Sequence, residues 1–326
     1  MPNIQVTEAQ ARFAESFLKK YQPPFPFPEA VNKSELYLGD CLSILQRYVA
    51  DESIHLIYID PPFFTGDIQR DEEVTFDDSK RFWEEKGLPE QAPEWMKYIT
   101  LKHPGFASYL YYMMVRLQAC HKVMKGTGSI YLHCNWRASH YLKIVMDDIF
   151  GEENFRNDIA WCYSGPSQAK EYFPRKHDNI LFYTRRDDHT FNVQRIPYAE
   201  GLSVGGEKSW AGEDRDIEEY TKRGKACEDW WTGIQALQRS EREKVGYPTQ
   251  KPLELLKRII SASSYPGDTI LDPFAGSGTT GIAACQLGRR CILIDDSEKA
   301  INIIIQRFQT LGQSITQIKK EELVDA

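Results

Sequence analysis

IHLIYIDPPFF, running from Ile54 to Phe64, decides the fold. Ile54 to Ile59 is a short apolar run rich in Ile and Tyr and closed by prolines, the pattern of a buried β-strand. Pro61 and Pro62 end it, because each lacks a backbone N–H and has a fixed φ. The chain therefore presents a carboxylate (Asp60), two backbone carbonyls free of ladder duty and an aromatic face (Phe63) together at a strand's carboxyl end. In open α/β sheets that end is where ligands bind.

Working outward, LYLGDCLSILQRY (Leu36 to Tyr48) predicts a strand, a tight turn at Gly39-Asp40 and a helix whose Leu42 and Leu45, with Val49, share one face. With the Asp60 strand this makes a βαβ unit, whose two strands are expected as parallel neighbours. Upstream, Ala11 to Lys20 is expected as a short helix and Tyr21 to Pro28 as an extended strap packed on the body. Downstream, Thr65 to Lys102 is acidic and aperiodic, and is expected as a mobile loop over the site. Its aromatics Phe76, Phe82, Trp83 and Trp95 are expected to pack mostly on the body. Phe106 to Lys125 reads as an amphipathic core helix, Gly126 to Gly128 as a turn, and Ser129 to His133 as a strand. A helix, Trp136 to Phe150, follows. His133 and Trp136 read as strand-end packing. Strands are expected at Asp158 to Tyr163 and Asn179 to Thr184. Between them lies a basic loop interleaved with aromatics, SGPSQAKEYFPRKHD (164–178). There Lys170, Arg175, Lys176 and His177 are candidates for phosphate contact, with a solvated loop as the plain alternative. Phe191 to Val245 loses the α/β rhythm and reads as a subdomain or insert with Trp230 and Trp231 in its core.

The rhythm resumes with a helix, Leu253 to Ser263. A strand, Thr269 to Leu271, leads into DPFAGSGTT (Asp272 to Thr280), then a helix to Leu287, a strand Arg290 to Ile294, and Asp295-Asp296. Ser297 caps a last helix with Ile301, Ile304, Ile305 and Phe308 inward. Strand, glycine loop, helix, strand and acid together form a nucleoside-binding βαβ. Gly276 and Gly278 allow sharp turning and close backbone approach, and a following acid suits ribose hydroxyls. The loop is not G-x-G-x-x-G and no basic residue follows it, which disfavours a pyrophosphate cofactor and suits a nucleoside carrying a small zwitterion. No strand is expected after Leu311. The nucleoside half comes last and the Asp60 half first, so the fold reads as circularly permuted.

The chain has 326 residues, room for one large domain or two modest ones. No apolar run reaches the roughly 18 residues of a membrane span, so no membrane partner is expected. The N-terminus carries no secretory pattern. Its seven cysteines contain no C-x-x-C pair, which fits a reducing cytosol and predicts neither a disulfide framework nor a metal site. A cytoplasmic location is expected. The net charge of −7 weighs against a nucleic-acid binder, but charge is segregated. Asp67 to Glu94 carries ten acids against four bases, and Arg156 to Arg186 six bases against three acids, so the local field favours an anionic partner at the second stretch.

With these stretches in this order, the chain resembles the DNA amino-methyltransferases that act on adenine N6 or cytosine N4. Within them it is similar to the permuted β class, in which the catalytic motif precedes the cofactor motif. The resemblance runs from about Leu36 to Leu311. It rests on D-P-P-F at Asp60 to Phe63, F-x-G-x-G at Phe274 to Gly278, P-T-Q-K-P at Pro248 to Pro252 and G-D at Gly39-Asp40. It implies an α/β, circularly permuted Rossmann-like fold dependent on S-adenosylmethionine, with an inserted target-recognition region. Residues 1–156 would be the catalytic half with an N-terminal extension, 157–245 the target-recognition region and 246–326 the cofactor half.

By the same resemblance, Asp272, Phe274, Ala275, Gly276, Ser277, Gly278 and Thr279 would hold S-adenosylmethionine. Asp295 would take the ribose hydroxyls, Asp40 would contact the adenine ring, and Thr249 and Lys251 would lie near the methionine moiety. Leu293 stands where the family usually has Gly, which leaves Asp295 and Asp296 as alternatives for the ribose. Asp60, Pro61, Pro62 and Phe63 would be catalytic. The Asp60 carboxylate and Pro61 carbonyl would hold both amine hydrogens and turn the lone pair out of the ring plane, while Phe63 stacks on a base flipped out of the duplex. The Asp before the prolines goes mostly with adenine N6 in this family. Cytosine N4 is the nearest alternative, RNA a lesser one, and a DNA-binding partner without activity a reading from another class. A dehydrogenase fails for want of the third glycine. The expected partner is DNA; a homodimer and a cognate restriction endonuclease are further partners the resemblance allows.

Overall fold

The computed structural model describes residues 34–64, 68–70, 75–77, 80–197, 224–237 and 243–318. The expected helix at Ala11 to Lys20 and the strap at Tyr21 to Pro28 lie outside them.

Nine strands form one sheet. They are β1 (Glu35–Leu38), β2 (Ile54–Ile59), β3 (Met124–Cys134), β4 (Phe155–Cys162), β5 (His177–Thr184), β6 (Trp230–Trp231), β7 (Thr269–Asp272), β8 (Arg290–Asp295) and β9 (Thr316–Ile318). Their spatial order is β6-β4-β5-β3-β2-β7-β8-β1-β9. Helices α1 (Cys41–Tyr48), α2 (Lys80–Lys86), α3 (Glu94–Thr100), α4 (Pro104–Val123), α5 (Ser139–Phe150), α6 (Leu253–Ala262), α7 (Thr279–Gln286) and α8 (Glu298–Thr310) flank it.

β2 is buried on both faces, which is why its sequence is apolar throughout rather than alternating. Ile57 and Ile59 pack in one layer with α1, α4 and α5, and Leu56 and Tyr58 in the other with α6, α7 and α8. Local chemistry starts the helices. Asp40 caps α1, its Oδ1 accepting the Ser43 N–H at 3.2 Å, and Ser297 Oγ accepts the Ala300 N–H at the start of α8 at 3.4 Å. Pro104 opens α4 at a position where no N–H is needed.

Two expectations are corrected. β1 and β2 are not neighbours. β1 pairs with β8 and β9, and β2 pairs with β3 and β7, so β7 and β8 from the end of the chain are inserted between them. The short-connection rule fails here because the C-terminal βαβ supplies the middle of the sheet. A strand does follow α8: Thr316–Ile318 pairs in parallel with β1 at the sheet edge. Three residues at an exposed edge carry no burial pattern to announce them.

Other elements depart more gently. β3 begins five residues before the predicted Ser129, so Gly126 to Gly128 lies inside a strand that shifts register against β2 between Ile54 and Leu56. The acidic stretch after Phe64 holds two helices and a short hairpin, and Trp83 and Met96 are buried in the core. β4 from Asn157 onward and all of β5 fall within 157–245 yet are strands of the main sheet, and Trp231 joins the core through β6 while Trp230 stays 54% exposed. Among the described residues no helix is long and apolar enough to cross a membrane.

The consequence for function is positional. β2 and β7 are parallel and adjacent, with Leu56 opposite Ile270 and Ile57 opposite Leu271. Asp60 and the turn after Asp272 therefore emerge side by side at the same end of the sheet.

Candidate active site

A cavity of about 590 Å³ opens at that end. Asp60, Pro61, Pro62 and Phe63 line it, as do Asp272, Phe274, Ala275, Gly276, Ser277 and Thr279. The two motifs, more than 200 positions apart in the chain, thus share one wall. Asp40, Thr249, Lys251, Asp295 and Asp296 complete it. Gly278 does not face the cavity; its φ of +76° forms the N-cap of α7 and packs against Ile304.

The Asp60 carboxylate is 15% exposed and its two oxygens differ. Oδ2 accepts from Lys251 Nζ at 2.5 Å. Oδ1 is buried and has no hydrogen-bond partner among the described residues. His133 Nδ1 is 4.0 Å from it. That nitrogen is engaged elsewhere. His133 Nε2 lies 3.3 Å from Asp178 Oδ2 and Nδ1 lies 2.9 Å from the Tyr58 hydroxyl. The neutral tautomer with its hydrogen on Nε2 satisfies both: Nε2–H donates to Asp178 and the Tyr58 O–H donates to Nδ1. Burial pushes the Asp178 carboxyl up, but its hydrogen bond from His133 outweighs this with help from other partners, and the group sits below the usual carboxylate range. Burial pushes the Tyr58 phenol well up, so it stays protonated. Asp60 Oδ1 is left as an unfilled acceptor, which a buried oxygen tolerates poorly unless a ligand donor completes it.

Phe63 tilts against His133 with ring centroids 5.6 Å apart, and the Lys251 ammonium lies 5.1 Å from the Phe63 ring centre. The ammonium of Lys251, expected beside the methionine moiety, bonds Asp60 at the cavity. His133, expected only as packing, lies directly beneath the carboxylate. Neither position has a local signal, since the contact depends on β3, β5 and the 243–252 segment converging.

The glycine loop is held from three sides. Gly276 N–H donates to Asp295 Oδ2 at 2.7 Å, while Asp295 Oδ1 accepts the Ser297 N–H at 3.0 Å. Asp272 accepts the Phe274 N–H at 3.0 Å and the Thr280 hydroxyl at 2.5 Å. Burial pushes both carboxyls, Asp272 and Asp295, up to about 7. From α8, Arg307 Nη1 donates to the Ser277 carbonyl at 2.7 Å and to Thr279 Oγ1 at 3.1 Å. Burial lowers this guanidinium to about 10. Replacing Arg307 with Met leaves the Ser277 carbonyl short of its donor, so a loss of about 2 kcal/mol is expected in urea unfolding, together with weaker ligand binding at the loop.

Both Asp295 oxygens are thus spent on the backbone. Asp296 lines the cavity, is exposed, and has no hydrogen-bond partner among the described residues. Asp40 is also committed: beyond capping α1, its Oδ2 takes the guanidinium of Arg116, which itself lies 3.5 Å over the Tyr112 ring. Arg116 and Tyr112 come from α4, a helix that reads in sequence as core without chemistry, and both line the cavity.

Of the basic-loop residues, Lys170, Arg175 and His177 are exposed and Lys176 is partly so. Arg175 is held between Trp136 and Tyr172, and Lys176 Nζ donates to the Pro166 carbonyl at 2.9 Å.

The sequence model of a DNA methylase family matches residues 54–306. The chain is 28% identical over 290 residues to the DNA adenine methyltransferase YhdJ of Escherichia coli K12, covering 87% of each chain. It is 27% identical over 285 residues to the type II methyltransferase M.HinfI of Haemophilus influenzae, covering 86% of this chain and 70% of that one. In fold it is similar to the cytosine-N4-specific PvuII DNA methyltransferase (TM-score 0.55, 15% identity, 88% and 96% of the two chains). It is similar also to M1.HpyAVI in its complex with SAM (TM-score 0.51, 17% identity, 84% and 98%). A family match over residues 54–306, most of the chain and a span that includes both stretches lining the cavity, makes this chain a member of the N6/N4 DNA methylase family.

Proposed function

We propose that the protein transfers a methyl group from S-adenosylmethionine to the N6 amine of an adenine flipped out of duplex DNA. The observation that carries this reading is Asp60 Oδ1: a buried acceptor without a donor among the described residues, in the same cavity as the left-handed glycine loop. The cavity suits the cofactor. Six aspartates line it against Lys86, Arg116 and Lys251, a field that favours a ligand carrying positive charge over a pyrophosphate. Gly276, at φ +51°, lets backbone approach the ligand where a side chain would not. Asp296, rather than Asp295, offers the free carboxylate for ribose hydroxyls. Phe274, Ala275, Ser277 and Thr279 would hold the rest of the nucleoside, with Asp40 and Thr249 at its margins. When bound, the cofactor supplies a methyl group on a sulfonium, already activated toward a nucleophile.

The chain's own residues then act on the base. Asp60 Oδ1 accepts one amine hydrogen and the Pro61 carbonyl the other, drawing the nitrogen lone pair out of conjugation. Lys251 and the prolines fix that carboxylate in advance, so no reorganisation is needed at reaction. Phe63 offers a stacking face worth about 1–3 kcal/mol per base. The proton leaves once the amine is cationic, with Asp60 as its first acceptor. Lys170, Arg175, Lys176 and His177 would contact phosphates, so sequence recognition would rest on the loops of 157–245 rather than on its strands.

Adenine is favoured by the relative YhdJ, which is named as a DNA adenine methyltransferase. The test is to incubate unmethylated duplex DNA with methyl-labelled cofactor, digest it and identify the labelled nucleoside. N6-methyladenine is expected. N4-methylcytosine would overturn the choice of base, and label on RNA but no DNA would overturn the substrate.

A further inference from the structure

The loop joining β4 to β5 leaves the cavity wall at Tyr163 and returns to it at Asp178; both residues line the cavity. Because β3 runs parallel to β2 and β5 antiparallel to β3, this loop stands at the same sheet end as Asp60. Phe173, within it, is 95% exposed. The loop around it is braced. The Arg175 guanidinium lies 4.4 Å from the Tyr172 ring centre and 3.9 Å from that of Trp136. Lys176 Nζ closes the loop onto the Pro166 carbonyl at 2.9 Å, and the Ser164 N–H donates to Gln235 Oε1 at 2.8 Å.

A braced loop that holds a phenyl ring in water gains nothing from it in the free protein. Phe173 is not a lone exposed ring: Tyr172 beside it is 57% exposed, and Trp136, joined to Tyr172 through Arg175, is 39% exposed. An apolar patch rimmed by polar groups marks a contact with a partner. Lys170, Arg175 and Lys176 on the same loop make that partner a polyanion. Stacking occupies only the faces of Arg175, and its edge N–H groups remain able to bind phosphate. A ring on a loop that starts and ends at the cavity, and that also carries cations, fits one place on a duplex: the gap in the stack that opens when a nucleotide is extruded. We propose that Phe173 is the wedge that enters the DNA stack and fills the space vacated by the target base, with Trp136, Arg175 and Tyr172 as the brace that sets its position. This rests on the methyltransferase reading above and deepens it. Apolar side chains inserted between base steps are a general means of holding DNA distorted, and extrusion is easiest where pairing is already lost.

The wedge makes a conditional demand on the substrate. Once the recognition site has been read from DNA methylated by the wild-type protein, two duplexes are compared, one with the target base paired and one with it opposite an abasic site. Phe173→Ala should lower kcat/KM at least tenfold on the paired duplex and less than threefold on the abasic one. Phe173→Trp should keep the paired activity near wild type. With 2-aminopurine at the target position, binding of the wild-type protein should raise fluorescence and binding of Phe173→Ala should not. Undiminished activity of Phe173→Ala on the paired duplex, or an equal loss on both duplexes, would overturn the wedge while leaving the methyltransferase reading intact. Failure of the wild-type protein to methylate any DNA would overturn that reading and the wedge with it.

Discussion

Asp60→Ala is expected to lower kcat by a factor of about 1,000 or more while leaving affinity for S-adenosylmethionine within about threefold of wild type. The size follows from two losses. The substitution removes the acceptor that holds the amine, a contribution comparable to deleting an oxyanion-hole donor, for which about 100–1,000-fold is typical. It also strands the Lys251 ammonium, 11% exposed and bonded to Asp60 Oδ2, beside a nitrogen that becomes cationic. An unpaired charge in such a place repels the developing positive charge. The two losses can be separated. Adding Lys251→Met to Asp60→Ala removes the stranded charge and should restore about tenfold of the rate, whereas Lys251→Met alone should be slower than wild type because Asp60 loses its anchor. Asp60→Asn keeps one oxygen but not the charge, and should fall between wild type and Asp60→Ala. Single-turnover rates at saturating cofactor, with calorimetric titration of the cofactor, measure both quantities. Near-full turnover by Asp60→Ala would show that the carboxylate does not handle the amine.

The parts of this site legible in the sequence are those written in consecutive residues. A strand that ends in Asp60-Pro61-Pro62-Phe63 is readable because prolines cannot extend a ladder. The turn Phe274 to Gly278 is readable because glycine pairs between a strand and a helix have few other uses. Their meeting in space could be argued only from the permuted order, and the pairing of β2 with β7 is what brings it about. What could not be read are contacts made by residues far apart in the chain. Lys251 reaches Asp60 across 191 positions. His133 is decided by Tyr58 on a neighbouring strand and Asp178 on another, and an isolated histidine at a strand end carries no mark of either. Asp295 and Asp296 are indistinguishable as adjacent acids. Only the hydrogen bonds from Gly276 and Ser297 set Asp295 apart from Asp296. The neighbour error at β1 and β2 has the same origin: chain proximity predicts adjacency only when no later segment takes the place between.

Gly276→Val is the complementary case, a loss of cofactor before chemistry. Gly276 holds φ +51°, a left-handed conformation that costs an ordinary L-residue roughly 1–2 kcal/mol and a β-branched one more. A Cβ there would stand 3.1 Å from Cε1 of Tyr247, a ring that is itself buried and lines the cavity. The ring cannot retreat without opening the cavity wall, and the new methyls cannot avoid it without entering the ligand's space. The loop has a second constraint, since the Gly276 N–H must still reach Asp295 Oδ2. If the loop relaxes to a negative φ, that bond breaks and leaves a buried carboxyl without its donor. Either way the cradle is lost, and cofactor affinity is expected to fall at least 100-fold, which corresponds to roughly 3 kcal/mol. Unfolding stability should fall by about 2 kcal/mol. Gly276→Ala, with one carbon in place of three, should lose nearer tenfold in affinity. Because Asp60, Lys251 and Phe63 are untouched, turnover forced by high cofactor concentration should recover much of the wild-type rate, the reverse of the Asp60→Ala pattern. Calorimetric titration at matched thermal stability, with rates across a cofactor series, distinguishes the two. Unchanged affinity in Gly276→Val would mean that the ligand does not lie against this turn, and the assignment of the glycine loop as its cradle would fail with it.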